Sequence, residues 1–155
     1  MILPAQEIEA IRPVLPFHSR TVKNGMTYGL SSAGYDVRIA EGVWLSRDTR
    51  FTLASTIEYF NMPSNIVGMV HDKSSWARRG VSLFNTVIEP GWRGYLTLEL
   101  TYHGDETIRV IEGSPIAQIV FMKLTAPTMM PYEGKYQDQR SGPQAWICDE
   151  GDTGI

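Results

Sequence analysis

Between Tyr35 and Leu124 the chain is cut into short β-favouring runs, most of them bounded by turn residues. Tyr35–Ile39, Val43–Leu45, Phe51–Ala54, Ile57–Phe60, Ile66–Val70, Val81–Phe84, Tyr95–Tyr102, Thr107–Ile111 and Ile116–Leu124 read as strands. Many short strands at close spacing predict an all-β barrel or a double-sheet jelly roll. Fourteen glycines and nine prolines suit a chain with that many turns. Ahead of the strands, residues 4–12 read as one short helix, with Pro4 in its first turn and Ile8 and Ile11 on one face. Pro13 and Pro16 end it, and residues 17–34 read as loop. At 155 residues the chain is one domain, large enough for a proper core.

The stretch from Lys73 to Glu99 concentrates the chemistry. Ser74 and Arg78 are four residues apart, so a single helical turn puts them on one face. Ser75 is placed to cap that turn, and Gly80 to end it in a left-handed conformation. In YLTLELTY the residues alternate. Leu96, Leu98, Leu100 and Tyr102 share one face; Tyr95, Thr97, Glu99 and Thr101 share the other. From the residues alone, Glu99 is equally a surface glutamate on a half-exposed strand, and Arg78 equally one half of a surface ion pair.

Charge and composition exclude several classes of function. A formal net charge of −3 argues against broad nucleic-acid binding, which needs a basic surface. It leaves room for a small anion, because Lys73, Arg78, Arg79, Lys135 and Arg140 cluster locally. The single cysteine, Cys148, excludes an intrachain disulfide and any site built on two cysteines. His18, His71 and His103 show no metal-ligand spacing, so no zinc site is expected. There is no glycine-rich phosphate loop of the Walker or Rossmann kind. No stretch approaches the roughly 20 apolar residues of a membrane span. The start, MILPAQEIEAI, lacks the basic and apolar regions of a signal peptide, so a cytoplasmic location is expected. From Thr125 the periodicity fades. The composition there suits a disordered end, but Tyr132, Tyr136 and Trp146 also suit a lid that folds over a ligand.

Several segments, in order, resemble the dCTP deaminases of the dUTPase superfamily. They are MILPAQEIEAI, SSAGYDVRIAEG, NMPSNIVGMVHDKSSWARRG, IEPGWRGYLTLEL, IAQIVFMKL and PYEGKYQDQ, and together they run through most of the chain. The resemblance implies a distorted jelly roll of the dUTPase-like type with a short N-terminal helix. It also implies a homotrimer with active sites between subunits. Residues 1–124 would form the core, and residues 125–155 a tail of the same domain that closes over the nucleotide. Ser74, Arg78 and Glu99 match the family's catalytic positions. Lys73, where the family often has arginine, and Ser75 match positions that contact phosphates. Glu89 stands where aspartate is usual, near the sugar, and Thr97 stands next to the base. Tyr132, Lys135 and Gln139 match the tail positions that close over the nucleotide. The segment before IEPGW departs from the pattern: it is shorter than in the typical member, and Asn85-Thr86-Val87 replaces the usual threonine–alanine pair.

The activity implied by the resemblance is hydrolytic deamination of dCTP, or a related deoxycytidine triphosphate, to dUTP and ammonia. Magnesium would travel with the triphosphate and need no dedicated protein cage. Zinc deaminases attack with a metal-bound hydroxide; here a carboxylate, Glu99, would take and give the protons instead. Ser74 would hold the water and exocyclic group, and Arg78 would stabilise developing negative charge. Two other readings stay open. One is an enzyme that also, or only, hydrolyses the α–β phosphate bond of dUTP. The other is a nucleotide-sensing or protein-binding module on the same fold.

Overall fold

In a computed structural model, which describes residues 1–148, the chain folds as two packed sheets plus a small two-stranded ribbon. A seven-residue helix, α1 (Ala5–Ile11), opens it, with Pro4 at the N-cap position. Ile8 is its buried anchor, and a left-handed Arg12 ends it. The strands are β1 (Val14–Leu15), β2 (Thr21–Lys23), β3 (Met26–Ser31), β4 (Gly34–Arg38), β5 (Val43–Leu45), β6 (Phe51–Asn61) and β7 (Ile66–Asp72). After the short helix α2 (Ser74–Ala77) come β8 (Val81–Leu83), β9 (Val87–Ile88), β10 (Arg93–Tyr102), β11 (Ile108–Val110) and β12 (Pro115–Lys123).

One sheet has the order β1-β6-β10-β8 and the other β2-β3-β4-β12-β7-β9, while β11 and β5 pair on their own. Every ladder is antiparallel. The inward faces interdigitate around Tyr35, Phe60, Leu98, Leu100, Ile119 and Phe121, all fully buried. Among the described residues, no helix is long and apolar enough to cross a membrane.

The expected jelly-roll architecture holds, with three local corrections. Residues 17–34 are not all loop, because β2 and β3 form a hairpin there. Its turn is Asn24-Gly25, both at positive φ, which is the geometry that a tight two-residue hairpin demands. The two runs 51–54 and 57–60 are one strand, β6, broken in register rather than in path. Tyr95 pairs with Tyr59 but Thr97 pairs with Ser55, so β6 carries two extra residues at that point. Thr56 makes good the lost ladder bonds: its hydroxyl accepts from Leu96 N at 3.0 Å and donates to Glu58 O at 2.8 Å. The third correction concerns α2, whose cap position is Lys73 and not Ser75.

Among the described residues, two ion pairs lie inside the molecule. Glu58, with no exposed surface, takes Arg38 Nε at 2.8 Å and Arg38 N at 2.9 Å. Lys73 Nζ meets Asp36 Oδ2 at 2.8 Å. Removing one partner of such a pair typically costs about 3–5 kcal/mol, because the other charge is left buried and alone.

Candidate active site

Strand β10 places Glu99 by alternation. Leu98 and Leu100 point into the core, so Thr97 and Glu99 point out of it, both half-buried. Leu96, although packed against the core, also lines the space beside them. These three side chains floor a cavity of about 640 Å³. Its walls are Val70 from β7, Asn85 to Glu89 around β9, and Phe51 and Leu53 from β6. Tyr132, Tyr136, Gln139, Gln144 and Trp146 cover it from the tail. The lining is mostly apolar with a few polar groups, the usual make-up of a small-molecule site.

The tail is tied down along its length. Trp92 donates its indole N–H to Tyr136 O at 2.7 Å, and Arg93 N donates to Gln137 Oε1 at 2.8 Å. Tyr95 N donates to Gln139 O at 2.9 Å, and Gly142 N to Ser55 Oγ at 3.2 Å. Gly94 makes this approach possible: at φ +145°, a Cβ there would lie 2.7 Å from Gln139 N. Thr97 Oγ1 accepts from the Gln139 side-chain amide and, at 2.9 Å, from Gln144 N.

A second cleft, of about 550 Å³, is polar. Lys73 and Ser74 line it with Arg20, Asp36, Asp72 and Gln118. Here β7 runs into α2, whose buried Trp76 donates its indole N–H to Pro115 O at 2.7 Å. That anchor leaves Ser74, Ser75 and Arg78 exposed on the outer side of the turn. Arg78 N donates to Ser74 O at 3.1 Å, which stacks the two residues as one helical turn. Gly80 then closes the turn at φ +83°. The two clefts share no lining residue.

Residues 35–124 match the family described as dCTP deaminase-like. A dCTP deaminase from Gemmatimonas aurantiaca is 33% identical over 156 residues, spanning 80% of this chain and 85% of its own. The chain belongs to the dCTP deaminase family. Solved structures agree at the level of fold. The crystal structure of the Agrobacterium tumefaciens 2′-deoxycytidine 5′-triphosphate deaminase superposes with a TM-score of 0.59 at 19% identity, over 77% of this chain and 47% of that one. A dUTPase variant from phage phi11 of S. aureus, which coordinates a structural Mg(II) ion, gives 0.56 at 17% identity, over 76% and 91%.

With the family in hand, the residues singled out in the sequence divide into three places. Glu99, Thr97, Glu89, Tyr132 and Gln139 share the apolar cavity. Lys73 and Ser74 share the polar cleft, with Ser75 and Arg78 on the same turn. Lys135 lies outside both linings; its Nζ donates to Ile147 O at 2.7 Å and sits about 6 Å from the rings of Tyr136 and Trp146. Lys73 is buried against Asp36, so its charge is already matched within the chain. Among the described residues, no three His, Cys, Asp or Glu side chains gather to hold a metal. Residues 149–155 of the expected lid lie outside the described residues. Asn85, Leu96 and Gln144 line the cavity without having been singled out as site residues. Tyr136 and Trp146 carried a signal, as aromatic weight in an otherwise polar tail.

Proposed function

We propose that this protein deaminates dCTP to dUTP and ammonia, with Glu99 as the proton carrier. The observation that carries the reading is Glu99 beside Thr97 on the floor of a mostly apolar cavity, in a chain of the dCTP deaminase family. The cytosine ring would lie over β10, with Thr97 beside it. Water adds at C4 while Glu99 takes its proton and passes one to N3. The proton of the new hydroxyl then goes, through Glu99, to the leaving amine, and C4 keeps the oxygen as a carbonyl. Ser74 would hold the water and exocyclic nitrogen, and Arg78 would steady the charge that builds up on the way.

Glu99 and Ser74 line different clefts of one chain. A homotrimer reconciles them, with the Ser74–Arg78 turn of one copy set over the Glu99 cavity of the next. Lys73 and Ser75 would then face the triphosphate, Glu89 the sugar, and Tyr132, Lys135 and Gln139 the closed lid. Magnesium would arrive on the triphosphate, held by phosphate oxygens and water.

The test is Glu99→Gln. The amide keeps the shape but carries no proton, so ammonia release should fall by about 10²–10⁴-fold. Binding of dCTP, read by calorimetry, should survive. Near-normal turnover by this variant would remove Glu99 from the mechanism.

A further inference from the structure

We propose that Asn85 is a positioning residue that holds Glu99 and Thr97 in place by standing in for a missing strand partner. The proposal rests on the deaminase reading above for its kinetic consequence, but not for its geometry. Strand β8 pairs with β10 only from Val81 to Leu83, opposite Tyr102 to Leu100. Phe84 N then donates to Glu99 O at 3.0 Å. Beyond that point the chain leaves for the other sheet, where Val87 and Ile88 pair with Met69 and Gly68. A ladder that stopped there would leave Thr97 C=O and Glu99 N–H without a strand neighbour on this edge.

Both groups are met by one side chain. Asn85 Nδ2 donates to Thr97 O at 2.7 Å, and Glu99 N donates to Asn85 Oδ1 at 2.9 Å. An amide side chain offers one acceptor and donors in one plane, which is what a neighbouring peptide unit would offer. The two bonds straddle Leu98, so they pin the backbone on either side of it. The far edge is held by β6, where Thr97 pairs with Ser55 and Glu99 with Leu53. The support is itself fixed, because Val70 N donates to Thr86 O at 3.2 Å and ties the next residue to β7. The shortened segment of this chain thus carries the brace for the two residues that would meet the base.

With one donor and one lone pair of Asn85 held by the β10 backbone, the side chain sets where Glu99 and Thr97 stand. Placement is worth a great deal, since a shift of about 1 Å at a reacting group can cost about 10²-fold in rate. The neutral amide also keeps a second negative charge away from Glu99. Among the described residues, the titratable groups that line the same cavity are Glu99 on β10, Glu89 after β9, and Tyr132 and Tyr136 in the tail.

The experiment compares Asn85→Ala and Asn85→Asp with the wild-type protein. For Asn85→Ala, kcat for ammonia release from dCTP should fall by about 10²-fold while KM moves much less. The Glu99 amide, followed by NMR hydrogen exchange, should exchange faster. Asn85→Asp should be equally impaired near pH 8, where an ionised carboxylate cannot donate to Thr97 O. Its activity relative to wild type should climb as the pH falls toward about 5.5, because a protonated carboxyl beside other acids regains one donor and one acceptor. The corresponding ratio for Asn85→Ala should stay flat. Wild-type kcat in Asn85→Ala, unchanged exchange at Glu99, or a flat ratio for Asn85→Asp would each overturn the proposal. Should Asn85→Ala not fold, the pH ratio of Asn85→Asp decides. If the wild-type protein releases no ammonia from dCTP, the deaminase reading fails, and the exchange rate still tests the brace.

Discussion

Tyr35 is fully buried, yet its hydroxyl is engaged twice: it accepts from His18 N at 2.9 Å and donates to Pro16 O at 3.3 Å. Burial pushes its pKa up to about 12; the His18 N–H opposes the rise and the nearby Glu58 carboxylate adds to it. The native state therefore keeps a proton that an unfolded tyrosine gives up near pH ~10. Between about 10 and about 12 the unfolded state binds fewer protons, so stability falls as pH rises through that window and is unaffected below it. In an alkaline absorbance titration of the seven tyrosines, one should ionise last or only on unfolding, and Tyr35→Phe should remove that step. Titration curves that superimpose for the two proteins would contradict this. At this scale the sequence was legible where a side chain's role follows from its own strand. Alternation alone put Thr97 and Glu99 on the side away from Leu98 and Leu100. It passed over Asn85 because nothing in a sequence marks an amide as a surrogate strand partner.

Among the elements, the long-range pieces were the hard ones to read. The β2–β3 hairpin reads as loop because β2 is only three residues long and Gly29 interrupts β3, although Asn24-Gly25 is a hairpin signal in its own right. The Ser74–Arg78 turn and Gly80 were legible because their geometry is local. The tail was ambiguous because what anchors it lies far back in the chain. The indole of Trp92, Gly94 and the Ser55 hydroxyl give it a track to follow. Deleting residues from Tyr132 onward should raise KM for dCTP strongly and leave the two sheets folded by circular dichroism. Gly94→Ala should act the same way with one methyl group, since its Cβ would press on Gln139 N. An unchanged KM in both variants would make the docked tail irrelevant to the substrate.

For the molecule as a whole, the family was legible from ordered segments spread along the chain. The resemblance implied sites between subunits, but which residues line which cleft was not legible, because it depends on how distant strands pack. If each active centre takes Ser74 from one copy and Glu99 from another, two inactive variants should rescue each other. Co-refolding Ser74→Ala with Glu99→Gln in equal amounts should recover about a quarter of the wild-type rate, the share of interfaces that pair two intact halves. No recovery would place both residues in one chain's site. The choice of product also belongs at this scale. Deamination needs water at C4, whereas phosphate cleavage needs water at the α-phosphorus and a carboxylate held to about an ångström there. Glu89, one methylene longer than the aspartate usual at its position, is exposed at the cavity wall. A single reaction is therefore expected. The direct measurement is a time course with dCTP and Mg²⁺, and separately with dUTP, resolving ammonia, dUTP, dUMP and pyrophosphate. Ammonia and dUTP should rise together from dCTP, with dUTP left uncleaved. No ammonia from dCTP, or pyrophosphate from dUTP as fast as ammonia from dCTP, would contradict this.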